Sequence, residues 1–394
     1  MEPHVLTVKN PDPDFCVISD EIVPQGIKVT RALSLFKLYS KVGKINGLLY
    51  RIGKTIPLIK PKRPLQELFY LPDAIPGWLP IAYLSGRKLL RKYQFHLIYA
   101  SIRPFGGALL AWMLSRHFGL PFIVDARDPI SCKIGRNREP LSFGETFTWK
   151  YERKIIENCS KYMVTTKTTA LAYKKTLPAF SYKFRVVYNG FDNVQDATFP
   201  SWPSSQFTII YLGNFYPADL DPKPFFQALR ALIDEDDEFK SNLVFLYVGQ
   251  DTDWLTDISK RYNLQRIVKC VGRKKRDEAI AHVRMSDLFF VRTQLPTNIS
   301  AKLFDGLAVN IPILSTHTHP EVENLIRCYA QDYSILYGES INQVKTSIKR
   351  HFYTKKPSPK TFNDKFIKDF SPDKLTAQLC VTFDDAIRHN TVTI

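Results

Sequence analysis

The chain has no cysteine arrangement typical of a metal site or a disulfide framework. Its six cysteines are widely scattered, and neither a CxxC pair nor a Cys/His cluster occurs. Isolated cysteines of this kind indicate a reducing compartment. The chain also lacks an apolar run approaching the roughly 18–20 residues that span a bilayer. The longest candidate, Phe105 to Leu114, is only about half that length.

The first residues, MEPHVLTVKN, lack the basic start and the apolar core of a signal peptide. We therefore expect a cytoplasmic protein. An excess of cations, 55 Lys and Arg against 38 Asp and Glu, gives a formal net charge of +17. Such a surface suits phosphates, nucleic acid or an anionic membrane. Nucleic acid is not expected as a partner, because no RNA-binding module or aromatic-interleaved basic repeat is visible.

The N-terminal region contains a candidate membrane contact. A short β-rich run, His4 to Val8, is followed by a mostly loop segment up to about residue 30. From Val29 to Lys60, basic residues then alternate with apolar ones at roughly helical spacing. This pattern is typical of a helix lying on the inner face of the plasma membrane, and equally of a helix packing one side on its own domain. The cations proposed for docking are Arg31, Lys37, Lys41 and Lys44.

Length and patterning predict two α/β domains. A chain of 394 residues with 44% hydrophobic residues exceeds one typical core. After a proline-rich loop, short apolar runs alternate with helical segments, and the alternation restarts at Phe207 after a polar linker. This indicates βαβ units with parallel sheets, in two consecutive doubly wound domains. We expect a domain over residues 1–200, a second over 201–370, and a terminal helix over 371–394 that crosses back to the first.

Ligands of such domains bind in loops beyond the carboxyl ends of strands. In the first half, two loops carry candidate residues. The loop after His96–Ser101 contributes Arg103, Gly106 and Gly107, which suit the approach of a phosphate. The loop after Phe122–Val124 places Asp125 and Asp128 on either side of Arg127. Such a cluster directly after a buried strand indicates either function or a structural ion network.

Later in the chain, two more loops follow strands. Asn189-Gly190 ends one strand, but this pair is also the commonest turn signal. Gly213 and Asn214 leave the first strand of the second half, where a glycine lets backbone amides face a phosphate. Lys223 lies just before the next helix and supplies a positive charge.

The stretch from Pro296 to Ser315 joins a polar loop, a short helix and a buried strand. Asn298 or Ser300 is the expected helix N-cap, and Lys302 and Asp305 are neighbours on the helix surface because they are three residues apart. The helix N-terminus suits a pyrophosphate, and the carboxylate suits ribose hydroxyls. The alternative is an ordinary αβ unit with a surface Lys–Asp pair.

Taken in order, these loops resemble family 4 of the retaining glycosyltransferases, which have the GT-B fold of two Rossmann-like domains facing across a cleft. The matching text is RKYQFHLIYASIRPFGGALLAWMLSRHFGLPFIVDARDPI, VVYNGFD, IIYLGNFY and AKLFDGLAVNIPIL. The resemblance implies transfer of a sugar from a nucleotide-sugar donor to a glycan or lipid-linked acceptor, in cell-envelope or exopolysaccharide biosynthesis. It also implies a metal-independent enzyme that needs no cofactor.

The resemblance assigns roles to the candidate residues. Donor binding falls to the second domain, with Lys302 near the phosphates, Asp305 on the ribose, and Asn298 in the adjoining loop. Further donor contacts are assigned to Gly213, Asn214 and Lys223. Asp125, Arg127 and Asp128 are the expected catalytic-cleft residues, and Arg103, Gly106 and Gly107 line the acceptor side.

The chain also departs from the family pattern. Thr297 and Asp305 occupy the positions where relatives carry two glutamates. The family's first strand and its Gly-rich loop are not recognisable before HVLTV. These departures suggest an alternative, a non-catalytic GT-B-like binding or scaffolding protein with a degenerate donor site.

Overall fold

The computed structural model describes residues 2–9, 25–34, 77–102, 104–131, 134, 139, 143–191, 206–215, 220–250, 252–293, 297–354 and 362–391. The chain forms two compact units. Unit 1 comprises Met1–Val187 with Leu379–Ile394, and unit 2 comprises Tyr188–Gln378. Arg103 and the candidate membrane cations Lys37, Lys41 and Lys44 lie outside the described residues.

Unit 1 contains two parallel sheets. The smaller pairs β1 (His4–Val8) with β2 (Lys28–Ala32), and the larger has the order β3-β4-β5-β6. The strands of the larger sheet are Ile98–Ile102, Phe122–Ala126, Lys161–Val164 and Phe184–Val186. The helices are α1 (Trp78–Lys92), α2 (Gly106–Phe118), α3 (Phe143–Asn158) and α4 (Lys167–Thr176), followed by a 3₁₀ helix at Pro178–Lys183.

Unit 2 is built on one six-stranded parallel sheet with the order β12-β11-β10-β7-β8-β9. Its strands β7 to β12 are Phe207–Leu212, Leu243–Val248, Val268–Cys270, Leu288–Arg292, Ile313–Thr316 and Tyr333–Ile335. The helices from α5 to α8 are Lys223–Glu235, Asp237–Asn242, Thr252–Arg261 and Arg276–Met285. The helices from α9 to α12 are Ala301–Ala308, Pro320–Tyr329, Ile341–Tyr353 and Asp364–Phe370. The last helix, α13 (Pro372–Thr391), begins in unit 2, and from Leu379 onward it belongs to unit 1.

The central strands of unit 2 are apolar throughout because both faces of the sheet are covered. In β7, Ile209 and Tyr211 pack into one hydrophobic cluster, while Ile210 and Leu212 pack into another on the opposite face. The chain winds outward from β7 to β9 on one side, and from β10 to β12 on the other. Loops that follow β7 and β10 therefore diverge, which leaves the kind of crevice where such sheets bind ligands.

Glu152 of α3 lies in the core of unit 1 with no exposed surface. Tyr162 and Tyr173 donate hydrogen bonds to its Oε1 at 2.8 and 2.6 Å. Burial raises the pKa of the Glu152 carboxyl to about 7, although these hydrogen bonds and one from the Ser131 backbone oppose the rise. The core of unit 1 thus contains a carboxyl that is easier to protonate than an ordinary one.

The predicted alternation of strands and helices is confirmed, with some corrections. The prediction of a loop up to about residue 30 is wrong for its last residues, because Lys28–Ala32 forms the strand β2. Three short elements, the 3₁₀ helix, α6 and α12, were not predicted. Among the residues that the structure describes, every helix is too short or too polar to cross a membrane.

Candidate functional site

In unit 1, the candidate site is centred on Asp125 at the end of β4. Its carboxylate is almost fully buried, with 3% of the residue exposed. Ser101 pairs with Asp125 across the sheet, so Tyr99, two residues earlier, lies on the same face. The Tyr99 hydroxyl donates to Oδ2 of Asp125 at 2.6 Å, and the Arg127 Nε lies 3.6 Å from the same oxygen.

The electrostatics of Asp125 combine burial with a positive neighbour. Burial raises the pKa of the Asp125 carboxyl, while the Arg127 charge and the Tyr99 hydrogen bond oppose the rise. The second oxygen, Oδ1, is buried and has no hydrogen-bond partner within the described part of the chain. A buried acceptor without a partner is energetically costly.

The other candidate residues of unit 1 flank this carboxylate in sequence. Arg127 is half-exposed, and its carbonyl accepts a hydrogen bond from Thr165 at 2.9 Å, which holds the loop. Asp128, the next residue, is partly buried. Gly106 and Gly107 begin α2, and a Cβ on Gly107 would make only ordinary contacts of 3.6 and 3.7 Å. Packing therefore does not require a glycine at position 107.

In unit 2, the structure brings the Gly213 loop and the Lys302 helix together. Gly213 has φ of +94°, and its N–H donates to the Val248 carbonyl at 2.8 Å. A Cβ at this position would lie 3.4 Å from Cε and 3.9 Å from Nζ of Lys302. The lysine stem therefore lies across the glycine, and its ammonium is located beside the backbone at the end of β7.

The neighbouring backbone is held by Asn214 and Ser300. Asn214 Oδ1 accepts a hydrogen bond from the Gln250 N–H at 3.1 Å, which ties the loops after β7 and β8 together. Ser300 is the N-cap of α9, and its side chain accepts from the Lys302 N–H. This cap confirms one of the two expected N-cap residues. The Asn298 carbonyl lies 3.2 Å from Nε2 of His319, so the imidazole donates to it.

Asp305 has a different partner from the one expected. Only 7% of the residue is exposed, and its Oδ1 accepts a hydrogen bond from Nη2 of Arg276 at 2.9 Å. Burial raises the pKa of the Asp305 carboxyl, and the charges of Arg276 and Lys302 oppose the rise. The interpretation as a surface Lys–Asp pair is therefore wrong, because the carboxylate faces inward and its ion pair is with Arg276.

Lys223 is placed at the first position of α5, where its ammonium faces a carboxylate. Its Nζ lies 3.2 Å from Oδ2 of Asp221, and both side chains are about half exposed. The carbonyls of Leu220 and Asp221 accept hydrogen bonds from Arg292 at 3.3 and 2.9 Å. Arg292 thus fixes the backbone that leads to Lys223.

Arg292 itself belongs to a buried ion pair that sequence reasoning missed. Its Nε and Nη2 donate to both oxygens of Glu339 at 3.0 and 2.8 Å, and both side chains are almost completely buried. Thr316 adds a hydrogen bond to Oε1 of Glu339 at 3.1 Å. The pair links the ends of β10 and β11 to the loop after β12, at the same edge of the sheet as Gly213.

Sequence reasoning also missed Tyr99 and Arg276. Arg276 ends the basic run Arg273–Arg276 after β9, which was the available signal, but nothing local indicates that it reaches Asp305. Within the described residues, no group of three or more His, Cys, Asp or Glu side chains is arranged to hold a metal ion.

Part of the chain matches a known family model. Residues 57–194 match the family model described as Glycosyltransferase Family 4. No curated protein sequence matches the chain. The expected resemblance to family 4 and the α/β fold of the GT-B class are both confirmed.

Several solved structures share the fold at low sequence identity. Sucrose-phosphate synthase from Thermosynechococcus elongatus aligns over 98% of this chain and 89% of its own, with 14% identity and a TM-score of 0.64. Anabaena HepE in complex with UDP and glucose aligns over 91% and 86%, with 13% identity and a TM-score of 0.60. S. aureus TarM in complex with UDP aligns over 78% of this chain and 59% of its own, with 13% identity and a TM-score of 0.56.

Proposed function

From the Glycosyltransferase Family 4 match in residues 57–194 and the GT-B fold, we propose that this protein is a retaining glycosyltransferase that uses a nucleotide-sugar donor. The observation that carries the proposal is the cluster at the carboxyl edge of the unit 2 sheet. There Lys302 lies against Gly213, and Asp305 is buried within reach of its charge. Two of the similar structures contain UDP, which supports a nucleotide as the ligand.

Each residue of the cluster has a role in holding the donor. Lys302 neutralises the pyrophosphate, together with the positive end of the α9 helix dipole. Gly213 has no side chain, which leaves space for the phosphate beside the Lys302 ammonium. Asp305 accepts hydrogen bonds from the ribose hydroxyls and is held in place by Arg276. Asn214 and Asn298 fix the two loops, and Lys223 adds positive charge nearby.

The reaction itself requires stabilisation of the departing diphosphate. Fixed cations supply this without a metal ion, since they lie where charge develops. In unit 1, Asp125 orients the acceptor hydroxyl, while the Tyr99 hydroxyl donates to its Oδ2 and Arg127 lies beside the same oxygen. Arg127 and Asp128 lie in the loop that follows β4, next to Asp125. The acceptor is a glycan or a lipid-linked saccharide of the cell envelope or of an exopolysaccharide.

Nucleotide binding tests the donor assignment directly. We expect Lys302→Met to weaken UDP, GDP or ADP binding roughly 10- to 100-fold, because a charge-assisted hydrogen bond contributes about 1.5–3 kcal/mol. The matched control is Lys240→Met, which removes an exposed lysine of α6. Calorimetric titration of the full chain measures both. Equal affinity of Lys302→Met and the unaltered chain would remove the site from unit 2.

Two ligands that differ only in their ribose hydroxyls test the role of Asp305 separately. We expect the unaltered chain to bind a ribonucleoside diphosphate more tightly than its 2′,3′-dideoxy analogue, and Asp305→Asn to lose this preference. Incubation with nucleotide sugars and envelope lipid acceptors then tests transfer, and NMR of the product gives the anomeric configuration. An inverted anomer would contradict retention.

A non-catalytic binding protein is the second candidate function, and Thr297 favours it. This residue is buried, with 8% exposed, at a position where the resemblance leads one to expect a glutamate. A nucleotide sugar that binds without nucleotide release, in the presence of acceptor lipids, would support this candidate.

A further inference from the structure

Carboxylates are absent from a long stretch of unit 1. The chain has 38 Asp and Glu among 394 residues, about one in ten, yet none occurs from Ala74 to Val124. The same stretch carries six Lys and Arg residues: Arg87, Lys88, Arg91, Lys92, Arg103 and Arg116. It includes the whole of α1 and α2, so these two helices have positive side chains with no negative ones among them.

The outward faces of α1 and α2 form one surface because the helices pack tightly against each other. A Cβ on Gly86 of α1 would lie 2.6 Å from the Leu114 side chain of α2, so the helices approach closely at this glycine. The rings of Tyr83 and His117 meet across the helix pair, with centroids 6.4 Å apart. The α1–α2 face consists of the exposed residues Leu84, Lys88, Arg91, Met113, Arg116 and His117.

The cations of this face are not neutralised by carboxylates of the described residues. Among the described residues, Lys88, Arg91 and Arg116 form no ion pair. Positive charge continues at the adjoining edge, where Lys28 and Lys92 both lie over the Tyr93 ring, at 5.4 and 5.2 Å. There, burial and the Lys28 charge lower the pKa of His4. Side chains without local counter-charges attract an external anion.

Two apolar side chains are exposed between these cations. Leu84 of α1 is 58% exposed and Met113 of α2 is 37% exposed. On α1, Leu84, Lys88 and Arg91 follow at spacings of four and three, so they share one helix face. On α2, Arg116 and His117 lie three and four residues after Met113, so both are its neighbours on the helix surface. Both helices therefore present an apolar residue beside cations on the same side.

We propose that the α1–α2 face docks on a bilayer containing anionic lipids. Lys and Arg side chains reach phosphate headgroups while their stems stay in apolar surroundings, and Leu84 and Met113 enter the interface between lipid chains. Each cation near an anionic membrane adds to the binding. A nucleic acid would use the cations but would leave both apolar side chains exposed. The surface lies wholly in unit 1 and is independent of the donor site.

Vesicle co-sedimentation of the full chain tests this docking. The chain is mixed with one of two kinds of vesicle. The first contains phosphatidylcholine alone, and the second contains equal parts of phosphatidylcholine and phosphatidylglycerol. The test variant is Lys88→Gln, Arg91→Gln, Arg116→Gln. The matched control is Arg153→Gln, Lys174→Gln, Lys175→Gln, which removes three exposed cations from α3 and α4 of the same unit. Glutamine is a good helix former, and both variants lose the same charge.

We expect binding only to the anionic vesicles, with affinity lowered roughly 100-fold in the test variant. The control should keep most of its affinity, because its cations lie away from the contact and are screened beyond about 8–10 Å. A Leu84→Gln, Met113→Gln variant should bind more weakly without any change in charge.

Three results would overturn the proposal. The first is equal loss of binding in the test and control variants, which would mean that only net charge matters. The second is unchanged binding in the test variant or in the Leu84→Gln, Met113→Gln variant. The third is binding of a short RNA duplex that anionic vesicles fail to displace, since this would make the face a nucleic-acid surface. None of these measurements depends on transferase activity.

Discussion

Replacing Glu152 with glutamine should change how the stability of unit 1 depends on pH. The carboxyl has no exposed surface, and its pKa is raised from 4.5 to about 7 in the folded protein. Because the folded pKa lies above the unfolded one, the protonated carboxyl stabilises the fold at low pH. That contribution is complete below the unfolded value and disappears as the pH rises through about 7. Glutamine cannot ionise, so the variant lacks this dependence.

The magnitude follows from the two pKa values. Between pH 5 and pH 8, the unaltered protein should lose about 2.5 kcal/mol of stability through Glu152 alone. Other titrating groups contribute equally to both proteins, so they cancel in the difference between the two free energies of unfolding. Urea denaturation followed by tryptophan fluorescence, at both pH values, measures this difference.

The control for this experiment is Glu157→Gln, which changes an exposed carboxylate on the same helix. It should leave the pH dependence of unfolding nearly as it is in the unaltered chain. The result to compare is the difference in free energy of unfolding between Glu152→Gln and the unaltered chain. If this difference is the same at pH 5 and pH 8, then the Glu152 carboxyl has the same pKa in the folded and unfolded chains. The reasoning from burial would then be refuted.

Two further predictions concern unit 2. Arg292→Met should lower the free energy of unfolding by about 3–5 kcal/mol, because Glu339 is left charged and buried, and the double variant Arg292→Met, Glu339→Leu should recover much of it. The comparison variant is Lys345→Met, which breaks an ion pair with the half-exposed Glu235. It should lower the free energy of unfolding by at most about 1 kcal/mol in the same urea assay. Equal losses of stability in Arg292→Met and Lys345→Met would contradict the argument from burial. Gly306→Ala should destabilise unit 2 by about 1–3 kcal/mol, because its Cβ would lie 2.4 Å from the Phe289 ring. Gly338→Ala, which meets no atom within 4 Å, is the matched control, and the same loss in both would contradict the packing argument.

The parts of the fold predicted best are those buried on both faces. The predicted restart of the alternation at Phe207 is confirmed by the strand Phe207–Leu212, because a strand covered on both sides is an unbroken apolar run in the sequence. Leu243–Val248 is a second run of this kind. β2 was missed because KVTRA has only five residues and runs directly into the basic segment that was interpreted as a helix. The short helices α6 and α12 have seven residues or fewer, too few for a helical period to be recognised.

The candidate site also contains some residues that local patterns identify and others that they do not. Lys302, Gly213 and the Ser300 cap were identified from local patterns, and the structure places the first two in contact. The Asp305–Arg276 and Arg292–Glu339 pairs could not be predicted, since each joins segments far apart in the chain. A sequence read locally contains the residue types, but long-range ion pairs depend on how the strands are ordered in the sheet.

The contact between Gly213 and Lys302 has a consequence for how related sequences diverge. The φ of +94° at Gly213 disfavours any other residue, and a side chain extending beyond Cβ would run into the lysine stem. A relative that gains a side chain at position 213 must therefore shorten the residue at position 302, and must then find its positive charge elsewhere. These two positions should change together during evolution, so that an alignment of relatives would show them as a covarying pair.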